Sequence, residues 1–454
     1  MEITDSQWAQ LISALALGVT FFVVAYITPP RFSVGLLIML APFQIIASRF
    51  GTLNIGLIYL VGAAHLLRGR IRSWPFLALF GFIFFVYMLS MSQTPRATYF
   101  DHAFYLLGIG ADVVLFYVVY NHVRQSDDVK PLLRLFLWMN ALILLYCVIQ
   151  LATGYQRFAF LGIHEFEFAE MTEQKQRLVG PFGTAGTNGE VLVLQILLLG
   201  YLLMYARTRL SRYIISGMLM GNFAFLVMTG SRGSFLTLVG SGFLFLWFFR
   251  RTLGAGRAFR IAVAAVTSFT VVSVIVVTYS EFNVLYARLE ETQLREGIPD
   301  TRQRAFEYAW ERIPEKLVLG HGPQLRLWEE QTRVIPGHVF LYFPHNLYLF
   351  LVLTVGLFGL AAYLLLFWAF YAWWKRARRH PRGDPFVDDL PTLGILLLIA
   401  FLVDQLKIEF LRSQFSDHQQ YMFALWAILL AATATRKQPV HSGVAALREH
   451  AAPS

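Results

Sequence analysis

The chain has 454 residues, with 38 Lys and Arg against 28 Asp and Glu, which gives a formal net charge of +10 at pH 7. It is 57% hydrophobic, 16% aromatic and only 15% charged, and its mean hydropathy is +0.55. A soluble domain of this size cannot bury so much apolar surface, so the composition indicates a polytopic membrane protein. The basic residues gather in short loops between apolar runs, which argues against nucleic-acid binding. The single cysteine, Cys147, excludes a disulfide framework and a cysteine metal site.

Apolar runs of helix-spanning length recur along the chain, and about 20 residues suffice to cross a bilayer. The predicted fold class is therefore all-α, with about 12–13 transmembrane helices and a large periplasmic loop. The candidate spans are 8–28, 32–48, 52–67, 74–92, 100–120, 132–153, 187–206, 213–230, 234–249, 259–279, 345–374, 391–410 and 418–435. Pro29 and Pro30 indicate either a turn between the first two spans or a kink within a longer helix.

Basic residues concentrate in one set of loops, and the positive-inside rule predicts that this set faces the cytoplasm. The set comprises 68–72, 124–134, 207–212, 250–260 and 375–382, with Arg31 and Arg436 on the same side. Two segments are then predicted on the outer face, 154–186 and 280–344, the second about 65 residues long.

These features divide the chain into five parts. They are N-terminal transmembrane helices (1–153), central helices with a glycine-rich outer loop and a GSRG turn (154–279), the large periplasmic loop with an amphipathic helix (280–344), C-terminal transmembrane helices (345–437) and a disordered cytoplasmic tail (438–454).

The large outer loop contains a predicted helix. Asp300 and Gln303 have capping-box spacing, and Pro314 closes the segment. Arg302 is in line with the apolar stripe of this helix, whereas Arg304 points elsewhere. The helix is expected on the membrane surface, with Arg302 either aimed inward at a ligand or reaching lipid phosphates.

Arg232 stands between two apolar runs in the sequence Thr229-Gly-Ser-Arg-Gly-Ser234. An ionisable side chain at such a point is costly and indicates a functional site. The guanidinium fork suits a diphosphate, because it donates paired hydrogen bonds to phosphate oxygens. The alternative is a tight turn whose arginine only marks the membrane interface.

Arg177 opens a glycine-rich stretch, RLVGPFGTAGTNGE, that ends at Glu190 just inside the next span. Irregular backbone at the membrane surface is tolerated where it lines a cavity or is buried in protein. Glu190 either pairs with an arginine or favours the helix N-terminus.

Three histidines compete for the role of a general base. His345, followed by Asn346, lies where an apolar run of thirty residues without a charged side chain begins. His321 lies in a Gly-His-Gly turn, and His338 follows a glycine. A lone histidine is more often structural, but the location of His345 at a span boundary favours it.

Asp112, Asp404, Lys407 and Glu409 also occur within apolar runs. Asp404 and Lys407 are one helical turn apart and are expected to neutralise each other in a structural ion pair rather than form an ion pathway.

The order of these motifs resembles the bacterial O-antigen ligase and O-antigen or exopolysaccharide polymerase superfamily. The elements that carry the resemblance are RLVGPFG, GSRG, RQRAFEYAW, LGHGP and HN-x9-GxxG, over residues 177–360. Two features depart from the commonest pattern. Gly186-Thr187-Asn188 stands where Pro-Asn often follows Gly-Pro-Phe, and thirteen predicted spans exceed the twelve usual for ligases.

The resemblance implies an inverting, metal-independent glycosyltransferase without a cofactor, in the bacterial inner membrane and with its active site facing the periplasm. Its donor would be a glycan on undecaprenyl diphosphate, and its acceptor a hydroxyl of a glycan or of lipid A-core. Carried onto this sequence, Arg232 and Arg302 bind the diphosphate and His345 accepts the proton of the attacking hydroxyl. Arg177 matches by position with a less defined role. Secondary candidates are Arg304, His321, Asn346, His338 and Glu190.

Ligation and polymerisation stay open, because both use the same donor chemistry. The intact HN-x9-GxxG spacing slightly favours a ligase. The alternative class is a transporter or flippase of lipid-linked glycans, which would use charges inside the membrane such as Asp112 and Asp404.

Overall fold

The structure is a computed structural model of the whole chain. It describes residues 16, 18–43, 47–48, 51–153, 178–182, 184–254, 256, 294–295, 298–324, 344–407, 410–411 and 417–434. Several sequence predictions fall outside the described part: the span 259–279, the candidates Arg177 and His338, and the side chains of Arg302 and Arg304.

Most of the described chain is helical, and it contains two short antiparallel strand pairs. The helices are α1 (Gly18–Ile27), α2 (Pro30–Leu40), α3 (Leu53–Leu67), α4 (Leu77–Met91), α5 (Tyr99–His122), α6 (Ser126–Thr153), α7 (Ala185–Met204), α8 (Arg209–Met228), α9 (Arg232–Phe248), α10 (Arg250–Leu253), α11 (Asp300–Arg312), α12 (Leu347–Ala377), α13 (Pro385–Asp404) and α14 (Asp417–Ala434). Antiparallel pairs join β1 (Ala47–Ser48) to β2 (Gly51–Thr52) and β3 (Leu294–Arg295) to β4 (Ile298–Pro299). The all-α prediction is confirmed.

Several helices have the length and apolarity of membrane spans. Within the described ranges, six are long enough: Arg96–His122, Asp128–Ala152, Ala185–Met204, Arg209–Met228, Leu347–Ala377 and Pro385–Asp404. Five shorter apolar helices, α1 to α4 and α9, accompany them. The chain is therefore a multi-pass membrane protein, as its composition predicts.

Within the described residues, the predicted spans coincide with helices, and the structure settles one open alternative and shortens one span. The break at Pro29 is a turn, because Pro29 has an extended backbone (ψ 142°) and α2 begins at the next residue. The candidate span 32–48 is shorter than predicted, since α2 ends at Leu40 and the chain then reaches the β1–β2 pair. Asn54 stabilises this bend by donating from Nδ2 to the carbonyls of Leu40 (2.9 Å) and Phe43 (2.7 Å).

The predicted basic loops meet at one end of the helix assembly, called the basic end below. Polar contacts connect them in pairs: Asn121 with Arg72, Lys130 with Asp384, Tyr205 and Thr252 with Asp389, and Arg382 with the carbonyls of Ala432 and Thr433. Four of the five basic loops thus contact helix ends that are predicted on the same side of the membrane, which supports the predicted alternation of the spans.

Helix α12 is broken at Gly356, whose backbone (φ 71°, ψ −173°) is not helical. The segment 317–322 fills the break with hydrogen bonds. Leu357 N donates to Leu317 O at 2.9 Å, and His321 N donates to Leu353 O at 3.0 Å. Backbone groups freed by a break at membrane depth need such partners. The predicted span 345–374 coincides with this helix, and the break at Gly356 is a feature that the sequence did not predict. The second half, 357–377, still has 21 residues, which is enough to cross a bilayer.

The core is aromatic and centred on α14. Trp426 is fully buried and has ring contacts with Phe370 on α12 (5.7 Å between centroids) and Phe401 on α13 (5.0 Å). Edge-on ring packing of this kind fixes the three helices against one another. Helix α13 is held rigidly as a result, and its C-terminal end carries the site described next.

Candidate functional site

The turn between α8 and α9 is fixed by a glycine and a threonine. Gly230 takes a left-handed backbone (φ 61°), which only glycine adopts without strain. Thr229 Oγ1 accepts a hydrogen bond from Ser231 N at 3.1 Å and donates to Leu226 O at 2.7 Å. Helix α9 then begins at Arg232, whose side chain is half-buried. The GSRG motif thus places its arginine on the first turn of a helix, at the end opposite the basic end.

The C-terminal end of α13 is attached to this turn by the hydrogen bonds of an ion pair. Lys407 Nζ lies 3.0 Å from Asp404 Oδ1 and donates to Ser234 Oγ at 2.5 Å. Asp404 Oδ1 also accepts from Thr237 Oγ1 at 2.8 Å. Ser234 in turn shares a hydrogen bond with Ser231 at 2.9 Å. The predicted Asp404–Lys407 pair is confirmed. Its further hydrogen bonds join the end of α13 to α9, which is distant in sequence.

Glu190 is buried (1% exposed) on the second turn of α7. Its Oε1 accepts a hydrogen bond from Gln405 Nε2 at 2.8 Å, and its Oε2 faces His418 Nε2 at 3.6 Å. Glu190 lies beyond the first turn of α7, so it does not serve the helix N-terminus in the way the sequence suggested. The carboxylate instead ties α7 to the ends of α13 and α14.

His345 and Asn346 form the start of α12. Asn346 is the N-cap, with Oδ1 accepting from Tyr348 N at 3.0 Å and Leu349 N at 3.1 Å. Such a cap satisfies N–H groups that have no partner in the first helical turn. Leu347 N donates to Gln405 O at 2.9 Å, so the start of α12 is also attached to α13.

The backbone of His345 is left-handed, with φ 48°. Among the described residues, the one other non-glycine residue with positive φ is Phe76. Positive φ is uncommon outside glycine, and residues held there cluster at functional sites. The side chain of His345 is half-buried.

The glycine-rich stretch also reaches this end of the assembly. Gly180 (φ 58°) donates from its N–H to Gln150 Oε1 at 3.0 Å, and Leu178 N donates to Met228 O at 3.1 Å. At Gly189, a Cβ would lie only 2.6 Å from Ser234 Oγ. The absence of a side chain there lets α7 approach the Arg232 turn closely.

Helix α11 lies in the predicted outer loop and agrees with the sequence prediction of a helix from Asp300. Ala305, Ala309 and Ile313 are buried along one face, and Trp310 is 61% exposed. The 3₁₀ turn Ile313–Lys316 leads from this helix into the segment that fills the break of α12. The helix that carries Arg302 is thus joined to α12.

His321 has a structural contact of its own. Its Nε2–H donates to the carbonyl of Arg312 at 2.8 Å, at the end of α11. Burial lowers the pKa of His321, and the hydrogen bond to the carbonyl opposes this effect in part. These contacts fix the LGHGP turn beneath α11.

The structure therefore brings three sequence-predicted candidates, Arg232, Glu190 and Asn346, onto one scaffold, the end of α13. His345 precedes Asn346 directly and shares that location. Sequence reasoning missed Gln405 and His418, because neither occurs in a recognisable motif. The charged pair in the apolar run was the one sequence signal for this end of α13.

Residues 217–364 match the family model described as O-antigen ligase. The matched region runs from within α8 through the GSRG turn and α11 to the broken part of α12. No curated protein sequence matches the chain significantly. The match confirms the predicted relationship to the O-antigen ligase and polymerase superfamily. It supports a membrane glycosyltransferase of that type.

Proposed function

We propose that the chain transfers a glycan from undecaprenyl diphosphate to a sugar hydroxyl at the outer face of the inner membrane. The acceptor is either lipid A-core, as in O-antigen ligation, or another lipid-linked repeat, as in polymerisation. The observation that carries the proposal is the shared scaffold. One helix end, residues 404–407, holds both the turn with Arg232 and the start of α12 beside His345.

The chemistry requires little beyond two kinds of group. A diphosphate is a good leaving group that needs cationic stabilisation as its negative charge develops. Arg232, together with Arg302 and Arg177, would supply that charge through paired hydrogen bonds. The attacking hydroxyl needs a base within hydrogen-bond reach, and a neutral imidazole is suited to that role near pH 7.

The transfer is a single displacement in this proposal. The acceptor hydroxyl oxygen forms a bond to the anomeric carbon while the bond from that carbon to the diphosphate oxygen breaks. The hydroxyl proton passes to His345, and undecaprenyl diphosphate leaves with the bonding electrons. Displacement from the opposite face inverts the anomeric configuration, and no metal ion is required.

Substitution of Arg232 tests the diphosphate-binding role. Arg232→Ala should lower the rate of glycan transfer by about 30- to 1000-fold. Arg232→Lys should restore little of that rate, because lysine lacks the planar guanidinium group that donates paired hydrogen bonds. Arg250→Ala is the matched control, since Arg250 is exposed at the other end of α9 and lies over the Trp247 ring. Wild-type transfer by Arg232→Ala would remove this arginine from the site.

Arg302 provides the second test of the same role. Full complementation by Arg302→Ala in cells that lack the native gene would leave Arg302 as a lipid anchor only. Loss of function comparable to that of Arg232→Ala would support a joint diphosphate site.

Purified protein with one lipid-linked donor and either lipid A-core or a lipid-linked repeat as acceptor separates ligation from polymerisation.

A further inference from the structure

The Asp404–Lys407 pair makes contacts that a merely neutralising ion pair would not need. Lys407 Nζ reaches Ser234 Oγ at 2.5 Å and Ser231 Oγ at 3.5 Å, both on the turn that begins α9. Asp404 reaches Thr237, one turn further along the same helix. The three hydroxyl side chains have the spacing i, i+3 and i+6, which places them on one side of α9. The pair therefore holds the first two turns of α9 against α13.

Gly233 shows how closely the lysine is fitted. A Cβ built at this position would overlap Lys407 Cδ and would also crowd Cε and Cγ of the same side chain. The aliphatic part of Lys407 thus crosses α9 directly over Gly233, which is the residue after Arg232. The second glycine of GSRG is explained by this crossing, since any side chain there would displace the lysine.

The burial of the pair makes its geometry hard to change. The side chain of Asp404 is 1% exposed and that of Lys407 is 16% exposed. A buried carboxylate that loses its cation is strongly destabilising, whereas removal of both charges can be nearly neutral. The pair is thus a fixed support rather than a mobile surface contact.

We propose that Lys407 is a positioning residue for Arg232: by bridging Asp404 to Ser231 and Ser234 across Gly233, it sets where the arginine meets the donor diphosphate. This inference rests on the proposed function. In this proposal Lys407 acts by fixing the turn that carries Arg232, and Lys407 itself does not contact the substrate. A displacement of about 1 Å in a group that binds a reacting substrate costs about 10²-fold in rate.

The first test removes both charges together, so that no buried carboxylate is left alone. The double variant Asp404→Asn, Lys407→Met should fold with near-wild-type thermal stability but show kcat/KM for transfer reduced by about 10- to 100-fold. Lys130→Met is the matched control, because Lys130 pairs with Asp384 at 3.1 Å at the basic end. It should leave kcat/KM unchanged.

The second test displaces the lysine without removing its charge. Gly233→Ala should reduce kcat/KM for the lipid-linked donor as the double variant does, because its methyl group occupies the path of Lys407. In the triple variant Gly233→Ala, Asp404→Asn, Lys407→Met, the alanine should add no further loss, since coupled substitutions are non-additive. Full additivity would show that Gly233 acts independently of Lys407 and would overturn the proposal.

Failure of the inference is distinguishable from failure of the proposed function. If wild-type protein transfers glycan and Arg232→Ala does not, but the Asp404→Asn, Lys407→Met variant keeps wild-type kcat and KM, the lysine has no positioning role. If wild-type protein itself transfers no glycan from the lipid-linked donor, both the proposed function and the inference are overturned.

Discussion

The carbonyl oxygen of Val318 occupies the space into which a side chain at Gly356 would project. This contact explains two motifs at once, LGHGP and the first glycine of GxxG. The relationship is reciprocal, because a Cβ at Gly320 would overlap the backbone of Thr354 on α12. The outer segment is thus inserted into the break of α12, and glycine is needed on both sides of the contact.

Substitution of Gly356 tests this insertion. Gly356→Ala should destabilise the protein, because its backbone (φ 71°, ψ −173°) lies in a region that essentially only glycine occupies, where strain costs about 1–3 kcal/mol, and the methyl group would displace the inserted backbone. The expected result is an unfolding temperature in detergent below that of the wild type. Gly217→Ala is the control, since a Cβ at Gly217 on α8 meets nothing within 4 Å. Equal stability of the two variants would contradict the docked arrangement.

The lowered pKa of His321 predicts a pH dependence of stability. Burial disfavours the protonated ring in the folded state, whereas the unfolded chain binds a proton near the ordinary value of about 6.5. Above that pH the ring is neutral in both states, and the folded protein keeps its full stability. Below it the unfolded chain binds more protons than the folded protein does, so the free energy of unfolding decreases. The unfolding temperature should drop from about pH 7.5 to about pH 5.5.

His321→Gln isolates this contribution. The amide can still donate to the carbonyl of Arg312 but does not titrate, so the variant should lose less stability on acidification than the wild type. An identical pH dependence in both proteins would assign the effect to other groups. Transfer activity at neutral pH should stay closer to wild type than that of variants at His345.

The orientation in the membrane is tested by cysteine labelling. The native Cys147 is fully buried, so the background should be low. Cysteine at Glu315, an exposed residue beside α11, should react with a membrane-impermeant reagent in spheroplasts. Cysteine at Arg379, exposed in the loop after α12, should react only after lysis. The reverse pattern would invert the topology.

Local patterns in the sequence predicted most of the helices, because apolar runs and their Pro, Gly and basic borders depend on nearby residues. The helix from Asp300 is an example, since a capping box acts within one turn. The break at Gly356 was not predictable in this way. A glycine inside an apolar run is compatible with a helix, and here the conformation depends on Val318, which lies outside that run.

The arrangement of the site depends even more on distant contacts. Lys407 and Ser234 are 173 positions apart in the chain, and Glu190 and Gln405 are 215 apart. The presence of charged residues in apolar runs indicated a structural or functional role for them, but the sequence could not predict which distant residues they contact. The roles of Arg177, Arg302, Arg304 and His338 stay predictions from the sequence.

The proposed mechanism depends most on His345 as the base. Its left-handed backbone guides the choice of variant, because asparagine tolerates positive φ better than other non-glycine residues. His345→Asn therefore keeps the backbone and a hydrogen-bonding amide but cannot accept a proton at neutral pH. His345→Gln serves as a second amide with a longer reach.

The most direct measurement is the transfer rate of purified His345→Asn with a lipid-linked donor, compared with donor binding by the same protein. We expect the rate to fall by about 10²- to 10⁴-fold while donor binding persists, because the arginines hold the diphosphate. Wild-type activity should also decline on acidification, since a protonated ring cannot accept the hydroxyl proton. Near-wild-type transfer by His345→Asn would contradict the role of His345 as the base.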